Sequence, residues 1–246
     1  MADPETLSEP LAQLLHELGT IFGRRLQSVS TYGGTGGAEA LTGSPTGRGH
    51  GHVHTLAVVE SIDAADLRAC ANLAKSWDRR GLATPLLMTS AELARSLDAF
   101  PLELGEILAH HLVVLGTDVL SGLSVAPADI RRACEAQARS HLLHLREGYI
   151  QAAAQPRELG AIIQASARPF RLLLVSMARL EGVDVADPDR VAGHLESTVG
   201  LAPGVVRQVL AAGGSSGISA TDAQVLYPEY IRAVERVVQY VDAWQA

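Results

Sequence analysis

Aromatic residues are scarce in this sequence, at 4% of its 246 residues. A core of ordinary size must therefore consist mainly of Leu, Val, Ile and Ala. Hydrophobic residues make up 47% of the chain, so there is enough material for such a core. This mixture favours helices with a few aliphatic strands between them. The length allows one large domain or two smaller ones.

Basic residues are also in the minority, because 20 Lys and Arg stand against 27 Asp and Glu and the formal net charge is −7. A free-standing nucleic-acid binder usually needs a basic surface that displaces counterions from phosphates. No basic run occurs in the sequence. We therefore expect no nucleic-acid partner.

Long apolar runs are missing as well, since no segment approaches the roughly 18 residues of a membrane span. The first residues, Met1 to Glu5, lack the basic and then apolar order of a secretion signal. The two cysteines, Cys70 and Cys134, each lie in a helical pattern and are expected to be reduced, buried thiols. These absences predict a cytoplasmic protein with no membrane partner.

The first half of the chain mixes helix and strand patterns. Leu residues at helical spacing between Leu7 and Phe22 predict an amphipathic first helix. Asp63, and either Thr89 or Ser90, are expected to cap two later helices. Short apolar runs predict four strands, over residues 27–32, 53–59, 85–88 and 108–115.

The second half contains only helical patterns, and no strand is predicted beyond Leu115. Four prolines are expected in first helical turns, where proline is favoured: Pro127, Pro156, Pro188 and Pro203. The expected fold class is therefore α+β, with a small mixed sheet in a domain over residues 1–123. An all-helical bundle domain is expected to follow over residues 124–246.

A glycine-rich segment joins the first two predicted strands. The first strand ends in Tyr32-Gly33-Gly34, and residues 33–51 contain eight glycines. His50, His52 and His54 lead into the second strand and alternate at the period of a strand. The order is therefore strand, glycine turn, loop and a second strand that opens with two polar residues, His52 and His54.

This order resembles the nucleotidyltransferase superfamily, and most closely its aminoglycoside-nucleotidyltransferase type, with a small mixed sheet and a C-terminal helical domain. Tyr32-Gly33-Gly34 is similar to the family's aromatic-Gly-Ser turn. The segment from His52 to Leu56 stands where the family has Asp-x-Asp followed by apolar residues. The segments 96–104 and 113–118 also look like parts of uncharacterised bacterial members.

The resemblance implies a reaction in which three carboxylates hold two magnesium ions beside a triphosphate. Here His52 and His54 stand at two of the acidic positions, and imidazole is a poor ligand for magnesium. The later strands offer no carboxylate at the third position, and the 108–115 strand carries His110 and His111 instead. The resemblance therefore implies a catalytically inactive member that acts as a binding or regulatory module, with magnesium disfavoured as a cofactor.

Nucleotide binding is expected to persist at the glycine turn, where the backbone N–H groups of Gly33, Gly34 and Thr35 could cradle phosphate. A small molecule is the other ligand class that such a cleft would take. The last helix, with Tyr240 and Trp244 near its end, is strongly amphipathic, and a homodimer would bury any apolar face that the bundle does not need.

Two alternative functions stay open at this point. Zinc suits imidazole, and His50, His52 and His54 on one face of a strand could hold it, with His110 or His111 as a further ligand. An active transferase to a small molecule or protein would need carboxylates elsewhere in the sequence. The candidates for that role are Glu60, Asp63 and Glu103.

Overall fold

The computed structural model describes residues 7–33, 52–153, 155–185, 187–214 and 217–244. The chain divides into two compact units. The first, the sheet unit, contains Met1–Phe100 and Leu104–Val125. The second, the helical unit, contains Pro101–Glu103 and Ala126–Ala246.

The sheet unit begins with a helix that leads through a short 3-10 turn, Gly23–Arg25, into the first strand. Its elements are α1 (Glu9–Phe22), β1 (Leu26–Tyr32), β2 (His54–Val59), α2 (Ala64–Arg79), β3 (Leu86–Thr89), α3 (Ser90–Ser96), α4 (Pro101–Ala109, whose first three residues belong to the helical unit) and β4 (His111–Gly116).

Both predicted helix caps are present. The Asp63 carboxylate accepts hydrogen bonds from the backbone N–H groups of Ala65 and Asp66 at the start of α2. Of the two candidates for α3, Thr89 is the cap, and its hydroxyl accepts from the N–H of Glu92. Each cap satisfies N–H groups that the first turn of a helix leaves unpaired.

The last predicted strand begins later than the sequence indicated. Leu108 and Ala109 complete α4, and β4 starts at His111. The residues just before them, Leu104 and Ile107, are buried at helical spacing. A short apolar run can be read as either helix or strand, and here the helical packing of its neighbours decides.

The four strands form one mixed sheet in the order β3-β2-β1-β4. β1 pairs antiparallel with β2 and with β4, while β2 and β3 are parallel. The expected small mixed sheet is therefore confirmed.

Helices cover both faces of this sheet. On one face Val29, Ala57 and Val59 pack in a cluster with residues of α1 and α2, including Trp77. On the other face Leu56 and Val58 pack with residues of α3, α4 and the loop after β4. Burial on both faces explains why β2 is a continuous apolar run rather than an alternating one.

The helical unit contains no strand among its described residues, as the sequence predicted. Its elements are α5 (Pro127–Gln151), α6 (Pro156–Leu180), α7 (Pro188–Val199), α8 (Val205–Ala212) and α9 (Ala220–Asp242). Three of the four prolines occupy first turns as expected. Pro203 does not, because α8 starts at Val205 after Gly204, whose φ of 81° lies in the left-handed region.

The three long helices α5, α6 and α9 pack against one another. Where they meet, the His141 ring forms a hydrogen bond with the Tyr230 hydroxyl, which also bonds the Ser166 hydroxyl at 3.2 Å. His141 stacks on Phe170 with the ring centroids 5.5 Å apart. His141 thus makes a polar contact between helices. His144 is exposed and lies 3.5 Å from Glu147 on the same helix.

None of the helices in the described part of the chain combines the length and the apolar character needed to cross a bilayer. Both cysteines are free and buried. Burial raises the pKa of the Cys134 thiol to about 12.

Candidate functional site

One end of the sheet brings three ring side chains into a line. Tyr32, the last residue of β1, pairs with His54 on β2 and with His111 on β4. Residues directly opposite one another in antiparallel strands project from the same face. His54, Tyr32 and His111 therefore form a row across three strands, which we call the terminal row.

The chain leaves the terminal row through Gly33, whose φ is +75°. A Cβ added at Gly33 would meet nothing within 4 Å, so the backbone conformation, not crowding, favours glycine there. The other two residues predicted to cradle phosphate, Gly34 and Thr35, lie outside the described residues. A phosphate contact at this turn therefore stays a prediction.

His54 and Tyr32 touch within the row. Their ring centroids are 5.7 Å apart with an angle of 32° between the planes. Both side chains are half-buried. The first polar position of β2 is thus packed on the aromatic residue that ends β1.

His52 does not share this environment. It precedes β2, because Val53 makes only an isolated bridge to Leu82 and the strand proper begins at His54. Nε2 of His52 lies 3.0 Å from an Asp78 carboxylate oxygen at the end of α2, and the two side chains are 44% and 75% exposed. His52 is therefore a solvent-facing partner of α2 rather than a member of the row.

No group of three or more His, Cys, Asp or Glu side chains that could hold a metal ion occurs within the described ranges. The predicted zinc site of His50, His52 and His54 depends on His50, which lies outside them. That site stays a prediction. It can be tested by elemental analysis of the purified chain before and after His52→Ala with His54→Ala, because bound zinc that falls with the double substitution would establish it.

His111 is fixed by contacts at both ring nitrogens. Nδ1 lies 3.2 Å from the carbonyl oxygen of Leu108, and Nε2 lies 3.2 Å from an Asp118 carboxylate oxygen. The same carboxylate oxygen accepts from the backbone N–H groups of Leu120 and Ser121, at 3.1 Å each. Asp118 thus holds the turn after β4 and orients His111 at the same time.

Neither Asp78 nor Asp118 is predicted from the sequence as part of the site. Asp118 carries a local signal, because Asp after Gly-Thr is typical of a turn in which the side chain accepts backbone N–H groups. Nothing in the sequence near Asp78 points to His52, which is 26 positions away. Such pairs arise only once the chain has folded.

An ion-pair cluster fixes the end of α2 that carries Asp78. The Glu17 carboxylate of α1 accepts hydrogen bonds from Trp77 Nε1 at 2.7 Å and from Arg80 Nη2 at 2.9 Å. Burial raises the pKa of the Glu17 carboxyl group, but these hydrogen bonds together lower it by more, so the net shift is downward. The position of His52 therefore depends on the packing of α1 on α2.

Two of the carboxylates that an active transferase could use instead, Glu60 and Asp63, lie away from the terminal row. Glu60 and Asp63 follow the other end of β2, and six residues of strand separate positions 54 and 60 by roughly 20 Å. Asp63 is engaged as the cap of α2. Glu103 lies in the first turn of α4 and is exposed.

The resemblance to nucleotidyltransferases implies two magnesium ions at this end of the sheet, and the described residues of the terminal row do not fit them. Magnesium requires oxygen ligands in octahedral geometry. The terminal row instead offers two imidazoles and a phenol. Of the described carboxylates nearby, Asp78 contacts the imidazole of His52 and Asp118 contacts that of His111. The described residues of the terminal row therefore form no magnesium site.

No known family model and no curated protein sequence matches this chain. A solved structure does: spectinomycin adenyltransferase AAD(9) from Enterococcus faecialis, crystallised with ATP and spectinomycin. The likeness covers 94% of this chain and 99% of that chain, with a TM-score of 0.58 at 11% sequence identity. It follows that this chain shares the fold of AAD(9), a nucleotidyltransferase-like α+β fold with a small mixed sheet and a helical part.

Proposed function

We propose that this protein binds a nucleotide through its nucleotidyltransferase fold without transferring the nucleotidyl group, and that it serves as a binding or regulatory module. One observation carries the proposal. His54 and His111, rather than carboxylates, flank Tyr32 in the terminal row beside the glycine turn.

The loss of transfer follows from the chemistry of phosphoryl groups. Transfer in this fold family needs metal ions that bind the triphosphate, lower the pKa of the attacking hydroxyl and stabilise the in-line displacement. Neutral imidazole is a poor magnesium ligand, and an imidazolium ring is no ligand at all. A nucleotide at this row would therefore be held without being activated.

Retention of nucleotide binding is supported by two features. AAD(9), which shares the fold over nearly its whole length, was solved with ATP. In this chain β1 still ends in a glycine turn with a left-handed residue, Gly33, and backbone N–H groups of such turns bind phosphate.

Calorimetry with ATP and an assay for pyrophosphate test the two halves of the proposal. We expect ATP to bind the full chain, and we expect no pyrophosphate above the rate without protein, either with or without spectinomycin as acceptor. Pyrophosphate release by the unaltered chain would overturn the claim that transfer is lost. Failure to bind ATP would overturn the claim of nucleotide binding.

Restoring carboxylates gives a second test of why transfer is lost. The double substitution His54→Asp and His111→Asp should give the chain a rise in melting temperature on addition of magnesium, because oxygen ligands replace the two imidazoles of the terminal row. His144→Asp, on an exposed position of α5, is the matched control and should give none. A magnesium response that is already present in the unaltered chain would contradict the reasoning.

A further inference from the structure

The outer face of α5 exposes apolar side chains along one line. Seven large hydrophobic residues are exposed in the described part of the chain, and three of them, Leu143, Tyr149 and Ile150, lie on α5. Leu143 is 64% exposed and Ile150 is 77% exposed. They are seven positions apart, which is nearly two full turns, so their side chains project in almost the same direction. Ala136, seven positions before Leu143, is also exposed. We call Ala136, Leu143 and Ile150 the outer seam.

The helical unit packs without the outer seam. On its inner side α5 buries Cys134, Ala138 and Leu145. The apolar face of α9, where a homodimer was expected from the sequence, is itself used in the bundle, since Val234 and Val241 are buried. The surplus apolar surface is therefore on α5. Apolar residues that recur every seven positions are typical of a seam along which two helices pair.

Opposite charges flank the outer seam between its last two residues. Arg146 lies on one side of the line and Glu147 on the other, because successive residues are about 100° apart around a helix. Their side chains are exposed. Nη2 of Arg146 lies 2.7 Å from a Glu235 carboxylate oxygen of α9, and Glu147 makes its contacts within α5. The guanidinium keeps further N–H donors and the carboxylate keeps further acceptor positions for another partner.

The placement of these charges selects one way of pairing two copies of α5. In a parallel pair, related by a two-fold axis along the helices, each seam residue meets its own copy and Arg146 lies beside Glu147 of the second copy. In an antiparallel pair the same flank of both helices meets. When seam residues are matched in that way, Arg146 lies beside Arg146 or Arg139 of the second copy, and like charges repel.

We propose that two copies of this chain form a parallel dimer through the outer seam of α5. Leu143 and Ile150 of each copy fill the seam, and two ion pairs between Arg146 and Glu147 set the direction of pairing. The outer seam extends over about 21 Å of helix. A single helix pair of this length buries less than the roughly 800 Å² per partner of a standard stable complex. We therefore expect a weak dimer that dissociates on dilution.

Sedimentation equilibrium of the full chain over a wide range of concentrations tests the surface. Leu143→Glu should raise the dissociation constant of the dimer by at least about tenfold, because it sets two carboxylates against each other and removes an apolar contact. Leu67→Glu, at a 53% exposed apolar position of α2, is the matched control and should leave the constant unchanged. A chain that is monomeric at every concentration, or a dimer that Leu143→Glu leaves intact, would overturn the proposal.

Single cysteine substitutions at exposed positions test the direction of pairing. In the parallel dimer Leu143→Cys and Ile150→Cys should each form a disulfide-linked dimer under mild oxidation, because each position meets its own copy. In an antiparallel pair at most one of the two positions can do so. The native Cys70 and Cys134 are buried, and Leu67→Cys, the control, should give no linked dimer. Linked dimers from fewer than both seam variants, or equal linking of the control, would overturn the parallel arrangement.

Discussion

Mild acid should weaken the helical unit through His141. This residue is 6% exposed and lies among Tyr230, Phe170 and Ser166, where α5, α6 and α9 meet. Burial lowers the pKa of its imidazole from 6.5 to about 4, and the charge of His144 one turn away acts in the same direction. The folded chain therefore resists protonation of His141 until the pH is well below the value at which the unfolded chain takes up the proton.

The sign and size follow from this difference in pKa. Well above pH 6.5 His141 is neutral in both the folded and the unfolded state, so its titration does not reduce the free energy of unfolding. As the pH falls from 6.5 towards 4 the unfolded state binds the proton first, so the free energy of unfolding falls. Each pKa unit is worth about 1.4 kcal/mol, so the full loss is about 3 kcal/mol.

Urea unfolding followed by circular dichroism, at a series of pH values from about 7 to about 4, measures this loss. His141→Leu removes the titrating group and leaves Tyr230 its contact with Ser166, so its stability should depend less on pH by the same amount. His144→Leu, at a side chain that is 75% exposed, should keep the full dependence. Equal slopes for the unaltered chain and His141→Leu would refute the reasoning.

The remaining predictions concern the sheet. Thr31 and Thr55 face each other across β1 and β2, and both hydroxyls are buried without a hydrogen-bond partner. Thr31→Val or Thr55→Val should each raise the free energy of unfolding by about 1 kcal/mol in urea titrations, and a decrease would contradict this account. At Gly116, with φ of +78°, a Cβ would lie 2.0 Å from the carbonyl oxygen of Gln27. Gly116→Ala should therefore cost more than about 3 kcal/mol in the same assay, whereas Gly33→Ala, with a similar φ and open space, should cost about 1 to 2 kcal/mol. Equal costs at the two glycines would show that the steric contact has no effect.

The elements of the sheet unit could be predicted wherever a local pattern also determines packing. The apolar run of β2 predicted a strand, and Asp63, with Thr89 or Ser90, marked the start of two helices. The prediction failed where the local pattern was ambiguous. Leu108 reads equally well in a helix or a strand, and the packing of α4 decided between them.

The candidate site could be predicted only in part, because a local pattern does not determine which side chains meet in the fold. The sequence indicated which residues stand at the family's acidic positions, since those positions open the strand that follows the glycine-rich segment. It did not indicate that His52 would turn towards Asp78 and His54 towards Tyr32. The alternation of histidines predicted one shared face, and the late start of β2 separates His52 from the terminal row instead.

The pairing of His111 with Asp118 limits how the site could regain metal binding. His111→Asp on its own would set two carboxylates against each other where a ring and a carboxylate now meet at 3.2 Å. Like charges at such a distance raise the pKa of one carboxyl group and disfavour the fold that brings them together. We therefore expect His111→Asp alone to lower the melting temperature, and magnesium to reverse the loss only when a carboxylate is also present at position 54. A His111→Asp variant that is as stable as the unaltered chain in EDTA would show that the two carboxylates do not repel each other across this contact.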